Sequence, residues 1–378
     1  MNTDIKYFDC SSTSLQKPPE VFEAVAHSMA NFANPSRGAY GAAMDAGRCI
    51  FAARCALAKL FGSSPERVIF TSNATESLNL VINNLISPND HVITTVLEHN
   101  SVLRPLFRIP NISISHVGLG DNNRLLYDGF SKNLQPNTKA VILTHASNLT
   151  GEILDLKYIS GFCKTHNLLL IVDAAQSGGL IPILSDNLGI TALCFTGHKG
   201  LFAPQGIGGI CLREGLKLQP LKVGGSGSES FSPKHPDELP ESLEAGTMNI
   251  PGIAGLLAGV RYIESMGIDN IFRKSKKLSV AFHKEVSKID GVKILSMVEN
   301  SIPIVTINIK NLDSTEVAEY LWQYQKICVR AGTHCAPLAH KALKIANQGA
   351  VRFSFSHFNT LDEVNAAVCA VKEISKGA

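Results

Sequence analysis

Phe195-Thr196-Gly197-His198-Lys199-Gly200 closes an apolar run that begins at Thr191, so a strand ends by presenting one lysine between glycines. A lysine so placed is a candidate partner for an aldehyde cofactor. Upstream, Leu168-Leu169-Leu170-Ile171-Val172 ends in the same manner with Asp173 and, three residues on, Gln176. A carboxylate there is what a protonated pyridine ring needs beside it. Together the two strand ends point to pyridoxal 5′-phosphate, held as an imine on the lysine with the aspartate on its ring nitrogen. Neither residue decides alone: a lysine beside glycine is usually a solvated surface group, and a strand-end aspartate usually caps a helix.

Outward from these ends, the pattern repeats from about residue 66 to 212: a short apolar run, a polar cluster, then a helical stretch. The runs are Val68 to Thr71, His91 to Val96, Ala140 to Thr144, Leu168 to Val172, Ala192 to Thr196 and Ile207 to Leu212. This alternation marks an α/β fold of parallel strands joined by crossover helices. In open parallel sheets, ligands bind outside the carboxyl ends of the strands. There the chain places Asn73 to Thr75, Glu98 to Asn100, Asn148, Asp173 with Gln176, and Thr196 to Lys199, which predicts one pocket.

Residues 216–246, rich in Gly, Ser and Pro and holding Gly224-Gly225-Ser226-Gly227-Ser228, read as a long loop. No Lys-Ser/Thr follows these glycines, so a lid or turn is expected rather than a phosphate loop. Beyond Pro251, an apolar helix (Ile253 to Ser265) leads into a second α/β unit. It holds a strand over Ile302 to Ile309, a helix capped by Asp313 with Glu316, and a last helix capped by Thr360 with Glu363. The expected division is a large domain over 16–257 and a smaller domain formed by 1–15 with 258–378. The smaller one carries Cys335 and Arg352, so a site using them lies in the cleft between domains.

Composition narrows the function. With 378 residues, 45% of them hydrophobic, and a net charge of +3, the chain can bury a large core in two domains. Lys+Arg 35 against Asp+Glu 32, with no long basic run, argues against a nucleic-acid surface. Met1 to Asp9 lacks an apolar signal core, and Ile250 to Val260 is too short to span a bilayer, so a cytoplasmic location is expected. Nine scattered cysteines with no Cys-x-x-Cys pair argue against a disulfide framework. Cys335 stands apart, because Arg330-Ala331-Gly332-Thr333-His334-Cys335-Ala336-Pro337 reads as a polar loop after a strand over Ile327 to Val329.

Three further groups carry chemistry. Asn73 with Glu76 fits a capping box at a helix start, where the Ala74 and Thr75 amides and the Thr75 hydroxyl make a natural phosphate site; taken alone the motif is only a cap. His99, at a strand end, can stack on a planar ring and exchange a proton near neutral pH, or can be an ordinary surface histidine. Arg352, in the alternating stretch Val351-Arg352-Phe353-Ser354-Phe355, can clamp a carboxylate through two parallel hydrogen bonds, or face solvent. Cys335 with His340 lacks the third and fourth ligands of a structural zinc site, so no metal is expected.

In this order, the residues resemble the class V aminotransferase-fold enzymes, specifically the cysteine desulfurase and selenocysteine lyase group with an Arg-x-Gly-x-His-Cys-Ala loop. The resemblance runs nearly end to end: Tyr7-Phe8-Asp9, Asn34-Pro35-Ser36-Arg37-Gly38, Thr71 to Asn79, Glu98-His99-Asn100, Ser147-Asn148, Asp173-Ala174-Ala175-Gln176, Thr196-Gly197-His198-Lys199, Glu244-Ala245-Gly246-Thr247, Arg330 to Ala336, and Val351-Arg352-Phe353. It implies the type I fold of pyridoxal-phosphate-dependent transferases. By motif, Lys199 would bind the cofactor aldehyde, Asp173 the ring nitrogen and Gln176 the ring hydroxyl, with His99 stacked on the ring. Thr75, Thr196 and His198 would bind the phosphate, helped by Thr247 from the other subunit of a homodimer. Asn148, Arg330 and Arg352 would stand on the substrate side, Asn148 and Arg352 holding its carboxylate, and Cys335 would take the sulfur.

The implied reaction converts L-cysteine to L-alanine, with a persulfide on Cys335 and sulfur passed to an acceptor protein or small thiol. His334 and Arg330, if they point at Cys335, would raise its thiolate fraction. The chain departs from the family where Asn73-Ala74-Thr75 replaces the frequent Gly-Thr-Thr or Gly-Ala-Thr, and again after Cys335. These departures bear on substrate preference and sulfur acceptor more than on cofactor chemistry. The alternatives are a selenocysteine lyase, another carbon–sulfur lyase or an aminotransferase on the same fold, or a cofactor- or nucleotide-binding module without turnover.

Overall fold

The computed structural model describes residues 5–35, 38–227 and 231–377; Ser36, Arg37 and Ser228 of the motifs above lie outside the described residues. A two-residue strand, Lys6–Tyr7 (β1), precedes the helices Pro19–Asn31 and Gly41–Phe61. Seven strands follow: Val68–Thr71 (β2), His91–Thr95 (β3), Ser113–Val117 (β4), Thr138–Thr144 (β5), Leu169–Asp173 (β6), Ala192–Thr196 (β7) and Gly208–Leu212 (β8). They form one sheet in the order β2-β8-β7-β6-β5-β3-β4. β3 pairs in parallel with β4 and β5, β5 with β6, and β6 with β7. All five residues of β3, β7 and β8 are buried, as expected of strands covered on both faces.

The expected α/β fold with a mostly parallel sheet stands, with two differences. β8, read from sequence as one more parallel strand, runs antiparallel to β7 and β2. Residues 197–207 join it to β7 without a helix, and a parallel return needs a longer crossover, usually helical. β4 was not among the expected runs. Its Ser-Ile-Ser-His-Val alternation is mostly half-buried at the sheet edge, so it lacks the apolar run that marks the central strands.

Helix ends place the polar clusters. Asn73 caps Ala74–Leu85 as expected, its side chain accepting the Glu76 N–H at 3.0 Å. The Glu76 carboxylate reaches back to the N–H and hydroxyl of Ser72, both at 2.6 Å, instead of to the cap residue. Thr360 and Glu363 form the expected reciprocal box, whereas Asp313 caps its helix through Thr315 N–H.

The C-terminal part carries a three-stranded antiparallel sheet of Val292–Ile294 (β9), Ile304–Ile309 (β10) and Val351–Ser354 (β12), with β10 central; Ile327–Cys328 (β11) pairs with β1. One core gathers Phe8, Phe282, Phe353 and Phe355 over this sheet. Ala336, Ala339, Leu343 and Ala350 pack instead into the core of the large sheet, which fastens the Cys335 loop to it. Among the described residues, no helix is long and apolar enough to cross a membrane.

Two sheet-edge loops meet backbone to backbone. Gly179, at φ +82°, would place a Cβ 2.4 Å from the Gly200 carbonyl oxygen, and a Cβ on Gly200 would lie 2.4 Å from that of Gly178. This contact ties the loop after Asp173 to the loop after Lys199. Gly179→Ala is expected to destabilise the fold by about 2–4 kcal/mol, combining overpacking with a left-handed backbone. A urea midpoint equal to wild type would show that the two loops do not bear on one another.

Candidate active site

β7 delivers Lys199 and β6 delivers Asp173 to one cleft of about 470 Å³ at the carboxyl edge of the sheet. The loop after β7 is held by Gly197 N–H to Ile207 O and by Ala203 N–H to Gly197 O, both at 2.9 Å. Burial draws the Lys199 ammonium down to about 8; Asp173 opposes this, while Arg352 adds to it. Asp173 is buried, and burial raises its pKa; the Ala175 N–H at 2.9 Å, Lys199 and the Ser101 hydroxyl work against that rise. The cleft therefore holds a lysine close to losing its proton, facing a carboxylate that gains from a cation beside it.

Asn73, Ala74, Thr75, His99, Ser101, Thr144, Asn148, Ala175, Gln176, Thr196 and His198 complete the lining. Every cofactor-binding residue expected of this chain is thus brought together except Thr247. That residue is exposed and lines a separate cavity with Phe70, Glu76 and Lys222.

The donor set fits a phosphorylated pyridine. The Asn73 side chain takes the Glu76 N–H and the Asn73 carbonyl takes the Ser77 N–H, which leaves the first-turn amides of Ala74 and Thr75 beside the cleft for an anion. Thr196 Oγ1 and His198 Nδ1 are buried and have no protein partner. Buried polar atoms require partners, which a bound phosphate would supply. Gln176 Nε2 donates to Ser11 O at 3.1 Å, so its amide is already oriented.

His99 caps the helix Asn100–Phe107, with Nδ1 accepting the Ser101 N–H at 3.0 Å. Burial, then the cations Lys199, Arg104 and Arg352, push its pKa down to about 4, so the ring is neutral at pH 7. Beside it, Glu98 is fully buried, accepting from the Thr95 hydroxyl at 2.6 Å and the Thr144 N–H at 2.8 Å. It joins the ends of β3 and β5. Burial, with Asp173 nearby, raises it to about 8. The sequence reading gave Glu98 and Ser101 no role; the available signal was a glutamate directly after the apolar Val96-Leu97.

On the substrate side, Asn148 links the parts. Its Nδ2 donates to His334 O at 2.7 Å, and its carbonyl accepts from one Arg352 nitrogen at 2.9 Å. The other terminal nitrogen of Arg352 donates to Asp9 at 3.0 Å and to Ser12 Oγ at 2.8 Å. Arg352 is therefore buried and paired, not solvent-facing, while its Nε and Asn148 Oδ1 have no protein partner. Asp9 entered the sequence reading only within Tyr7-Phe8-Asp9, and its pairing with Arg352 was not anticipated because the two lie 343 residues apart in sequence. Arg330 is exposed and exchanges backbone hydrogen bonds with Arg352.

Cys335 is exposed at the loop tip. It and His334 have consecutive positive φ values of 54° and 53°, an unfavourable backbone for non-glycine residues. Asn100 N–H to Cys335 O at 2.8 Å and the Asn148 bond to His334 O hold the loop in this shape. The expectation that His334 supplies positive charge to the thiol is corrected. His334 is buried, its pKa driven down to about 3 mainly by burial, and its Nε2 lies 3.2 Å from Arg330 O. A carbonyl only accepts, so that nitrogen carries the proton of a neutral ring.

A parallel sheet presenting a lysine and a carboxylate to one cleft, beside a helix N-terminus and under a cysteine loop, defines a class of fold as well as a site. The family model for class-V aminotransferases matches residues 6–367, and the chain belongs to that family. It is 32% identical over 380 residues to a probable cysteine desulfurase of Methanothermobacter thermautotrophicus, covering 98% of this chain and 95% of that relative. A probable cysteine desulfurase of Pyrococcus abyssi is 31% identical, covering 100% of this chain and 96% of the relative. Among solved structures, the apo cysteine desulfurase of Thermococcus onnurineus matches with a TM-score of 0.92 and 33% identity, covering 100% of this chain and 96% of that one. The family expected from the motifs stands.

Proposed function

We propose that this enzyme is a pyridoxal-phosphate-dependent cysteine desulfurase that converts L-cysteine to L-alanine and passes the sulfur through Cys335 to an acceptor protein or small thiol. The observation that carries the reading is the convergence of Lys199 and Asp173 on one cleft with the Asn148–His334 bond leading to Cys335. The cofactor, when bound, withdraws electrons from the substrate Cα. Lys199 Nζ would hold it and then take the Cα proton, a role its lowered pKa supports. Asp173 would keep the ring nitrogen protonated, Gln176 would hold the ring hydroxyl, and Ala74, Thr75, Thr196 and His198 would receive the phosphate.

Arg352 would orient the substrate carboxylate through its unpartnered Nε–H, and Asn148 through the second hydrogen of the Nδ2 that already donates to His334 O, with exposed Arg330 assisting. The Cys335 thiolate attacks the substrate sulfur. The S–S bond forms as the substrate Cβ–S bond breaks, and the released electron pair and then a proton end on Cβ, which yields alanine.

We further propose the division into 16–257 and 1–15 with 258–378, and a homodimer. The apolar groove lined by Ala24, Ala52, Ala254 and Leu257, with exposed Phe22, Met29 and Phe51 on two of the same helices, supports the second copy, which would bring Thr247 to its neighbour's phosphate site. Nine unpaired cysteines support a reducing, cytoplasmic compartment. Intact-mass and peptide mass spectrometry after incubation with L-cysteine should show one added sulfur on Cys335; alanine release with no such increment would overturn the assignment.

A further inference from the structure

Ser101 touches His99 twice. Its backbone N–H donates to His99 Nδ1 at 3.0 Å and its Oγ lies 2.8 Å from the same nitrogen. The Ser101 hydroxyl also works to lower the pKa of Asp173, which lines the same cleft. The residue is buried and lines the cleft. An amide N–H can only donate, so Nδ1 must present its lone pair, and the one proton of the neutral ring sits on Nε2. The hydroxyl has a single proton within reach of two acceptors, Nδ1 and the Asp173 carboxylate.

Resting on the active site proposed above, we infer that Ser101 is a positioning residue that fixes His99 as the Nε2–H tautomer and ties that ring to Asp173. His99 then offers a hydrogen-bond donor at Nε2 and no basic lone pair there, so the substrate Cα proton falls to Lys199. The charged groups facing the ring act in the same direction. Burial chiefly disfavours the imidazolium, and Lys199, Arg104 and Arg352 add to it. The Ser101 hydroxyl, which favours the Asp173 carboxylate, can serve it without protonating Nδ1.

Nitrogen-15 NMR of full-length protein labelled at histidine tests the tautomer, with and without the cofactor, the His99 signal being the one lost in His99→Gln. Between pH 6 and 9, Nδ1 should report an unprotonated, hydrogen-bonded nitrogen and Nε2 a protonated one. A protonated Nδ1 at neutral pH would overturn the inference, and this readout does not depend on which substrate the enzyme uses. Ser101→Ala keeps the amide but removes the hydroxyl. It is expected to lower kcat by about 10- to 100-fold, the range for a lost hydrogen bond to a charged group, with KM little changed and the pH midpoint of the cofactor absorbance shifted. Ser101→Thr should restore both. Wild-type kcat and an unmoved midpoint in the alanine variant would refute the link to Asp173.

Discussion

Lys199→Ala is expected to leave a folded protein whose turnover of L-cysteine has fallen on the order of 10⁴-fold, the upper end of what a positioned general base supplies. Its visible cofactor band should be lost as well. The reason is local. An ordinary lysine at pH 7 is neutral in roughly one molecule in three thousand, whereas a pKa of about 8 makes roughly one in ten neutral and nucleophilic. No other side chain lining the cleft is an amine. The same lowered pKa predicts a pH signature. Between about pH 8 and pH 10.5 the unfolded chain binds a proton at this lysine that the folded chain does not, so the group makes stability rise with pH across that window. Cofactor-free Lys199→Ala should lack that rise relative to wild type in denaturant titrations at pH 8 and pH 10. Equal slopes would mean that the amine is not buried as described.

Cys335→Ala separates the sulfur step from the cofactor. The thiol is exposed and does not line the cofactor cleft, so the variant should keep a wild-type visible spectrum. Alanine production should fall on the order of 10³-fold or more, as for an enzyme deprived of its nucleophile. No sulfur increment should appear on the 330–336 loop. Stability should change little, because the loop's shape comes from backbone bonds to Asn100 and from the Asn148 amide. Undiminished sulfur transfer to an acceptor thiol in this variant would show that another group takes the sulfur.

Legibility followed distance along the chain. Asn73, Asp173, His198 and Lys199 each stand at the end of an apolar run, and a few neighbours suffice to mark a strand, its end and the helix after it. The direction of β8 depended on whether eleven residues could form a crossover, which local pattern does not reveal. Glu98 and Asp9 were named only within motifs and Ser101 not at all, because partners that define their roles, such as Thr144 for Glu98 and Arg352 for Asp9, come from another strand or the far end of the chain. His334 was misjudged for the same reason: beside a thiol in sequence, it turns its proton toward Arg330 O and stacks on His340.

What the sequence determined by itself was the succession of the central strands and their polar ends along the chain, and with it the chemistry of an amine and a carboxylate at one sheet edge, because hydrophobic periodicity and turn residues are short-range properties. What only the tertiary structure decided was the state of those groups: a lysine brought near neutrality, a neutral His99 with its proton on Nε2, and an arginine already paired with Asp9. Each of these follows from burial and from partners that folding brings together, and no local window of sequence contains them.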